Sequence, residues 1–95
     1  MRKYELLYII RPSVDEEAKK ALIERFNNVI TENGGTVEKT TDMGKRRFAY
    51  EINKMREGHY VLLNIVAEPK AILETERLMK ISDDVVRQMT TKDER

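Results

Sequence analysis

An α+β fold, running β-α-β-β-α-β along the chain, is predicted by three features of the sequence. Its 95 residues suffice for one modest core and not for two. Runs with apolar residues at alternate positions, suited to strands, are interrupted by two runs with apolar residues every three or four positions, suited to helices. Two β-α-β units in succession close into one four-stranded antiparallel sheet with both helices on a single face.

The first strand covers Tyr4 to Ile10. Tyr4, Leu6, Tyr8 and Ile10 share one side, and Leu7 and Ile9 make the other partly apolar, as suits a central strand covered on both faces. Pro12, which has no N–H to give a ladder, ends it. A helix follows from Val14 to Asn33. Ser13 is its expected N-cap, with Glu16 at capping-box spacing, and Ala18, Leu22, Phe26, Val29 and Ile30 form an apolar stripe. Asp15, Glu16 and Glu17 complement the positive end of its dipole, and Gly34 suits a left-handed residue after its last turn.

Thr36 to Asn53 is long for one strand, and Gly44 marks a bulge or kink within it. Asn53 to Gly58 reads as a hairpin connection and His59 to Ala67 as the most apolar strand. Pro69 opens the second helix at its first position. That helix runs to Ile81 with Ile72, Thr75 and Met79 on one face, flanked by Leu73 and Leu78. Ser82-Asp83-Asp84 is a turn, and Val85 to Thr91 is the last strand. Its inward face is undecided, because Val85/Arg87/Met89 and Val86/Gln88/Thr90 are equally mixed. Together these elements predict a ferredoxin-like arrangement. The first and third strands are central and the second and fourth at the edges, because right-handed crossovers require it. A single domain over residues 1–92 is expected, with a short flexible tail over 93–95 that frays from about Lys92.

Charge is unevenly placed on this frame. Residues 45–56 hold five cations (Lys45, Arg46, Arg47, Lys54, Arg56) against Glu51 alone, whereas the whole chain is +1. Residues 13–34 and 68–84, which contain the helices, each carry five anions and three cations. A basic edge strand beside an acidic helical layer is the footprint of a polyanionic partner approached in one orientation. The same cations would also suit a solvated edge that resists strand-to-strand aggregation.

Other functions find little support. No Cys is present, which removes disulfides and thiolate chemistry and fits a reducing compartment. No apolar run approaches the roughly 20 residues of a membrane helix, and the N-terminus does not resemble a signal peptide, so a cytoplasmic protein is expected. His59 is the sole histidine, so no metal site is expected. No cofactor or small-molecule substrate is expected either.

Arg2-Lys3-Tyr4-Glu5, then Gly44-x-Arg46-Arg47-Phe48-Ala49-Tyr50-x-Ile52-x-Lys54, then Gly58-x-Tyr60 resemble the bacterial family of small-subunit ribosomal protein six, from Met1 to about Lys92. The resemblance implies a non-enzymatic, ribosome-bound protein that binds the central domain of small-subunit ribosomal RNA. It also implies a heterodimer with ribosomal protein eighteen of the same subunit and a role in subunit assembly and translation. Some members carry a long acidic C-terminal extension, so no tail-dependent role is expected of a chain ending at Arg95.

The residues expected to meet RNA phosphate are Arg2, Lys3, Lys45, Arg46, Arg47, Lys54 and Arg56. Those expected to meet a protein partner are Leu7, Ile9, Phe48, Tyr50, Tyr60 and Leu62. Leu7, Ile9, Tyr60, Leu62 and Val66 fall on the sheet face away from the helices, and read equally as scattered surface apolars or as a docking patch.

Two other functions fit this topology. An RNA-recognition motif would need stacking aromatics in Arg56–Leu63, where only Arg56, Tyr60 and Val61 match its pattern. An acylphosphatase-like site could cast Arg11 and Asn64 in its roles, but Arg11-Pro12-Ser13-Val14 lacks the glycines of a phosphate-cradling loop.

Overall fold

The computed structural model describes residues 2–52 and 55–93. Its elements are β1 (Arg2–Ile10), α1 (Glu16–Glu32), β2 (Thr36–Ile52), β3 (Met55–Ala67), α2 (Pro69–Ile81) and β4 (Val85–Asp93). The four strands form one antiparallel sheet in the order β2-β3-β1-β4. This is the expected ferredoxin-like topology, with the basic strand at an edge.

The core lies between one sheet face and the two helices. Leu6, Tyr8 and Ile10 of β1 and Val61, Leu63, Ile65 and Ala67 of β3 meet Leu22, Phe26 and Ile30 of α1 and Ala71, Ile72 and Met79 of α2. Tyr8 and Phe26 meet edge to face, with ring centroids 5.5 Å apart, an arrangement the ring quadrupoles favour. Period-two alternation on the central strands and helical spacing on α1 and α2 thus converge on one apolar layer.

Several boundaries differ from expectation for local reasons. Asp15, not Ser13, caps α1: its Oδ1 accepts the Ala18 N–H at 2.8 Å. Asp15 immediately precedes Glu16, the first helical residue, so its side chain satisfies an amide the helix cannot, whereas Ser13 lies two residues too early. Ala18 is exposed, and Lys19 takes its place on the buried stripe with Leu22, Phe26 and Ile30. At the other end Gly34 adopts φ +85, and Gly35 donates to the Ile30 carbonyl at 2.9 Å, closing the last turn as expected. Leu73, expected to flank the buried face of α2, is 65% exposed.

The expected hairpin connection is shorter than its sequence suggests, since β3 starts at Met55 and Ile52 pairs with Met55. At the C-terminal end, Lys92 and Asp93, expected to fray, continue β4 opposite Tyr4 and Lys3.

Candidate nucleic-acid and partner interface

Breaks in register shape the edge strand that carries the basic residues. The β2–β3 register shifts between Val37 and Lys39, between Asp42 and Gly44, and between Arg47 and Ile52. At the second shift Asp42 lies opposite Val61 and Gly44 opposite Tyr60, so Met43 is the extra residue. Gly44 has φ +78, the left-handed conformation that glycine adopts without penalty and that bulges of this kind use. The kink anticipated at Gly44 is therefore present.

The extra residue decides where the cations point. Val61 belongs to the core and Tyr60 does not, so positions opposite Tyr60 and Gly58 face away from the helices. Arg46 lies opposite Gly58, whereas Lys45 and Arg47 lie opposite His59 and Glu57 on the helix side. All three are exposed, as is Arg56. Lys45 Nζ is 3.7 Å from Glu57 Oε1, and Arg46 Nε donates to the Met43 carbonyl at 3.4 Å. Because β1 pairs with β3 only as far as His59, this end of β2 and β3 extends as a two-stranded ribbon past the central sheet.

Arg2 and Lys3 are exposed but lie elsewhere, opposite Ala67 and Val66. Val66 and Gly58 are separated by roughly 25 Å of strand at about 3.3 Å per residue. The candidate phosphate contacts therefore fall into two groups at opposite ends of the sheet. Lys54 lies outside the described residues.

The open face is ordered in rows by the register. Thr41, Leu62, Leu7 and Met89 form one row across the four strands, and Gly44, Tyr60, Ile9 and Arg87 the next. Beyond them Lys39, Asn64, Glu5 and Thr91 make a polar row. Leu7, Tyr60 and Leu62 are half-buried, while Ile9 is only 6% exposed between Tyr60 and Arg87 and offers a partner little area. The side chains of Phe48 and Tyr50 lie outside the described residues. Met89, 51% exposed, and Arg87 join this face without having been anticipated. The undecided face of the last strand explains why. Ile9 pairs with Arg87 but Ile10 with Val85, so Val86 is bulged. Val85 then packs on the core, and Thr90 Oγ1 donates to Glu76 Oε2 of α2 at 2.8 Å. A simple alternation does not contain that pattern.

A second polar group also escaped the sequence reading. Lys19 is 4% exposed, and its Nζ donates to Asp42 Oδ2 at 2.8 Å and to Glu16 Oε1 at 3.0 Å. Asp42 Oδ1 accepts the Gly44 N–H at 2.9 Å. The Lys19 ammonium and the Gly44 amide hold the Asp42 carboxyl below the usual carboxylate range, and the two carboxylates hold Lys19 above the usual lysine value. Burial raises the nearby Tyr8 hydroxyl, with the Asp42 charge adding to the effect. The signal for this group was present, since Lys19, Leu22, Phe26 and Ile30 fit a helical stripe as well as Ala18 does.

Arg11 and Asn64 lie far apart. Asn64 lies opposite Glu5 at mid-sheet, and Arg11 follows Ile10 at the end of β1, about 20 Å further along the strand. Among the described residues no group of three or more His, Asp or Glu could hold a metal ion. No helix there is long and apolar enough to cross a membrane.

Residues 3–92 match the family model described as Ribosomal protein S6. The chain is similar to the small ribosomal subunit protein bS6 of Exiguobacterium sibiricum, 78% identical over 95 residues and the full length of both. It is also similar to the protein of the same name from Halalkalibacterium halodurans, 60% identical and covering 99% of each chain. Among solved structures, 30S ribosomal protein S6 of Thermotoga maritima superposes with a TM-score of 0.92 at 34% identity, over 97% of this chain and 87% of that one. An Arabidopsis thaliana protein, 12% identical with a TM-score of 0.55 over 100% of this chain and 95% of that one, shares the fold alone.

Proposed function

Because the chain belongs to the ribosomal protein S6 family, structural proteins of the small ribosomal subunit, we propose that it binds the central domain of small-subunit ribosomal RNA as a heterodimer with ribosomal protein eighteen. In this role it is a ribosome-bound assembly protein of the cytoplasm and not a catalyst.

The observation that carries the reading is the projecting β2–β3 ribbon, with exposed Lys45, Arg46, Arg47 and Arg56 distributed over both of its faces. Cations on both sides of a ribbon can approach a phosphate backbone without burying the sheet. Lys54 is assigned to phosphate contact as well, and Arg2 and Lys3 supply a second contact at the far end. Leu7, Tyr60 and Leu62, with Phe48, Tyr50 and Met89, serve the protein partner, and Ile9 supports them from beneath. Tyr60, paired with Ile9 across the sheet, is assigned to this surface and not to a base-stacking platform.

The test is a titration of a central-domain fragment of ribosomal RNA with this chain, with ribosomal protein eighteen, and with both. Weak, salt-sensitive binding by this chain alone and tight binding by the pair is the expected result. Tight binding by this chain alone, indifferent to the second protein, would contradict the proposal.

A further inference from the structure

We infer that Lys19, a buried residue that reaches no ligand, is a positioning residue for nucleic-acid binding, acting through Asp42 and the Gly44 bulge to aim Arg46. The inference rests on the reading of Arg46 as a phosphate contact.

The chain of contacts is continuous. Lys19 Nζ donates to Asp42 Oδ2 at 2.8 Å, and the other oxygen of the same carboxylate accepts the Gly44 N–H at 2.9 Å. Gly44 stands at φ +78 beside the extra residue Met43. The Met43 carbonyl in turn accepts from Arg46 Nε at 3.4 Å. The carboxylate is thus held at one oxygen by the helix and itself holds the bulge with the other.

The consequence for Arg46 follows from strand parity. In an unbroken strand Asp42 and Arg46, four residues apart, would share the helix-side face. With one residue bulged out, Arg46 moves to the open face opposite Gly58, while Lys45 and Arg47 turn toward the helix side. Loss of the bulge would exchange the faces of all three cations. Burial suits Lys19 to this role, because its ammonium is shielded from solvent and phosphate. It holds Asp42 where a surface lysine would exchange partners with water. Gly44 supplies the backbone freedom, but the carboxylate fixes which residue is bulged.

A plain fold staple between α1 and β2 would use the same ion pair, so the test must separate the two roles. RNA affinity is measured at low salt with a central-domain ribosomal RNA fragment for the full chain and for Lys19→Met combined with Asp42→Ala, a pair that leaves neither of the two charges without its partner. Both are repeated in an Arg46→Ala background, with stability followed by denaturant titration and Gly44 followed by amide exchange. The combined variant should bind about tenfold more weakly, the worth of one charged contact. In the Arg46→Ala background the further loss should be under about twofold, because the two changes act on one contact. Gly44 should exchange faster while Leu63 in the core is unchanged.

Equal losses in both backgrounds, or unchanged exchange at Gly44, would overturn the inference. So would full affinity in the combined variant alongside weakened binding by Arg46→Ala. Full affinity in Arg46→Ala itself would instead remove the phosphate reading, and the positioning role with it. Should the combined variant not fold, Lys19→Met alone, which leaves Asp42 hydrated because its side chain is 47% exposed, is carried through the same two backgrounds.

Discussion

At Lys19 a buried ammonium is shared between two partly exposed carboxylates, and the partners should respond unequally to removal. Lys19→Met replaces a desolvated charge with an apolar chain of similar length and should cost under about 1 kcal/mol. Asp42→Ala leaves the ammonium buried with Glu16 alone and should cost about 1–3 kcal/mol, read from denaturant midpoints. The pH dependence follows from the directions of the shifts. Asp42 is depressed in the folded state, so its contribution is present above its unfolded value near 3.8 and is lost as pH falls through the lower folded value. Lys19 is raised, so its share is present below 10.5 and is lost as pH rises through the higher folded value. The stability difference between the parent and Asp42→Asn should therefore be flat through neutral pH and shrink below about pH 4. A difference that grows in acid would reverse the assigned sign.

The elements differ in what their substitution should change. α1 is held to the sheet chiefly by Leu22, Phe26 and Ile30, and Phe26 meets Tyr8 across the layer. Phe26→Ala should cost about 3–5 kcal/mol through lost burial and the cavity left behind, measurable by the same titration. A cost under about 1 kcal/mol would mean that the site collapses around the smaller residue. The ribbon end of β2 has the opposite character. Arg46→Glu with Arg47→Glu changes exposed residues and should alter stability by no more than about 0.5 kcal/mol each. It should nevertheless weaken RNA binding and lower the slope of log affinity against log salt by about one for each phosphate no longer neutralised. An unchanged slope would assign the triplet to edge protection, the role that charged edge strands play against self-association.

At the scale of the whole molecule the charges set a limit on affinity. A net charge of +1 with acidic helical segments and two cationic groups separated along the sheet leaves few phosphates neutralised by this chain. Non-specific affinities of nucleic-acid-binding proteins lie near 10⁻⁴–10⁻⁶ M at physiological salt, and this chain alone should fall in about that range. A partner seated on the Leu7/Leu62/Met89 face would add its own basic surface, and linked binding raises affinity by about 10²–10⁴ without altering a single contact. The expected gain on adding ribosomal protein eighteen is of that order, measured as the ratio of dissociation constants with and without it.

By itself the sequence determined the order of elements, the central placement of the first and third strands, and the core faces of both. It also marked Pro69 as the start of α2, Gly44 as a break in β2 and the ribbon as basic. These features are local: period-two and helical spacing, a fixed proline φ and a run of like charge are all written in consecutive residues. The family resemblance, carried by the same basic-aromatic stretch, was legible for the same reason. Only the tertiary structure decided the faces of β4 and of Arg46, because each depends on one bulged residue, Val86 or Met43, and a one-residue slip exchanges the two sides of a strand. It alone also buried Lys19 in place of Ala18, since an ammonium enters a core only where carboxylates from elsewhere meet it, and Asp42 lies 23 residues away in sequence.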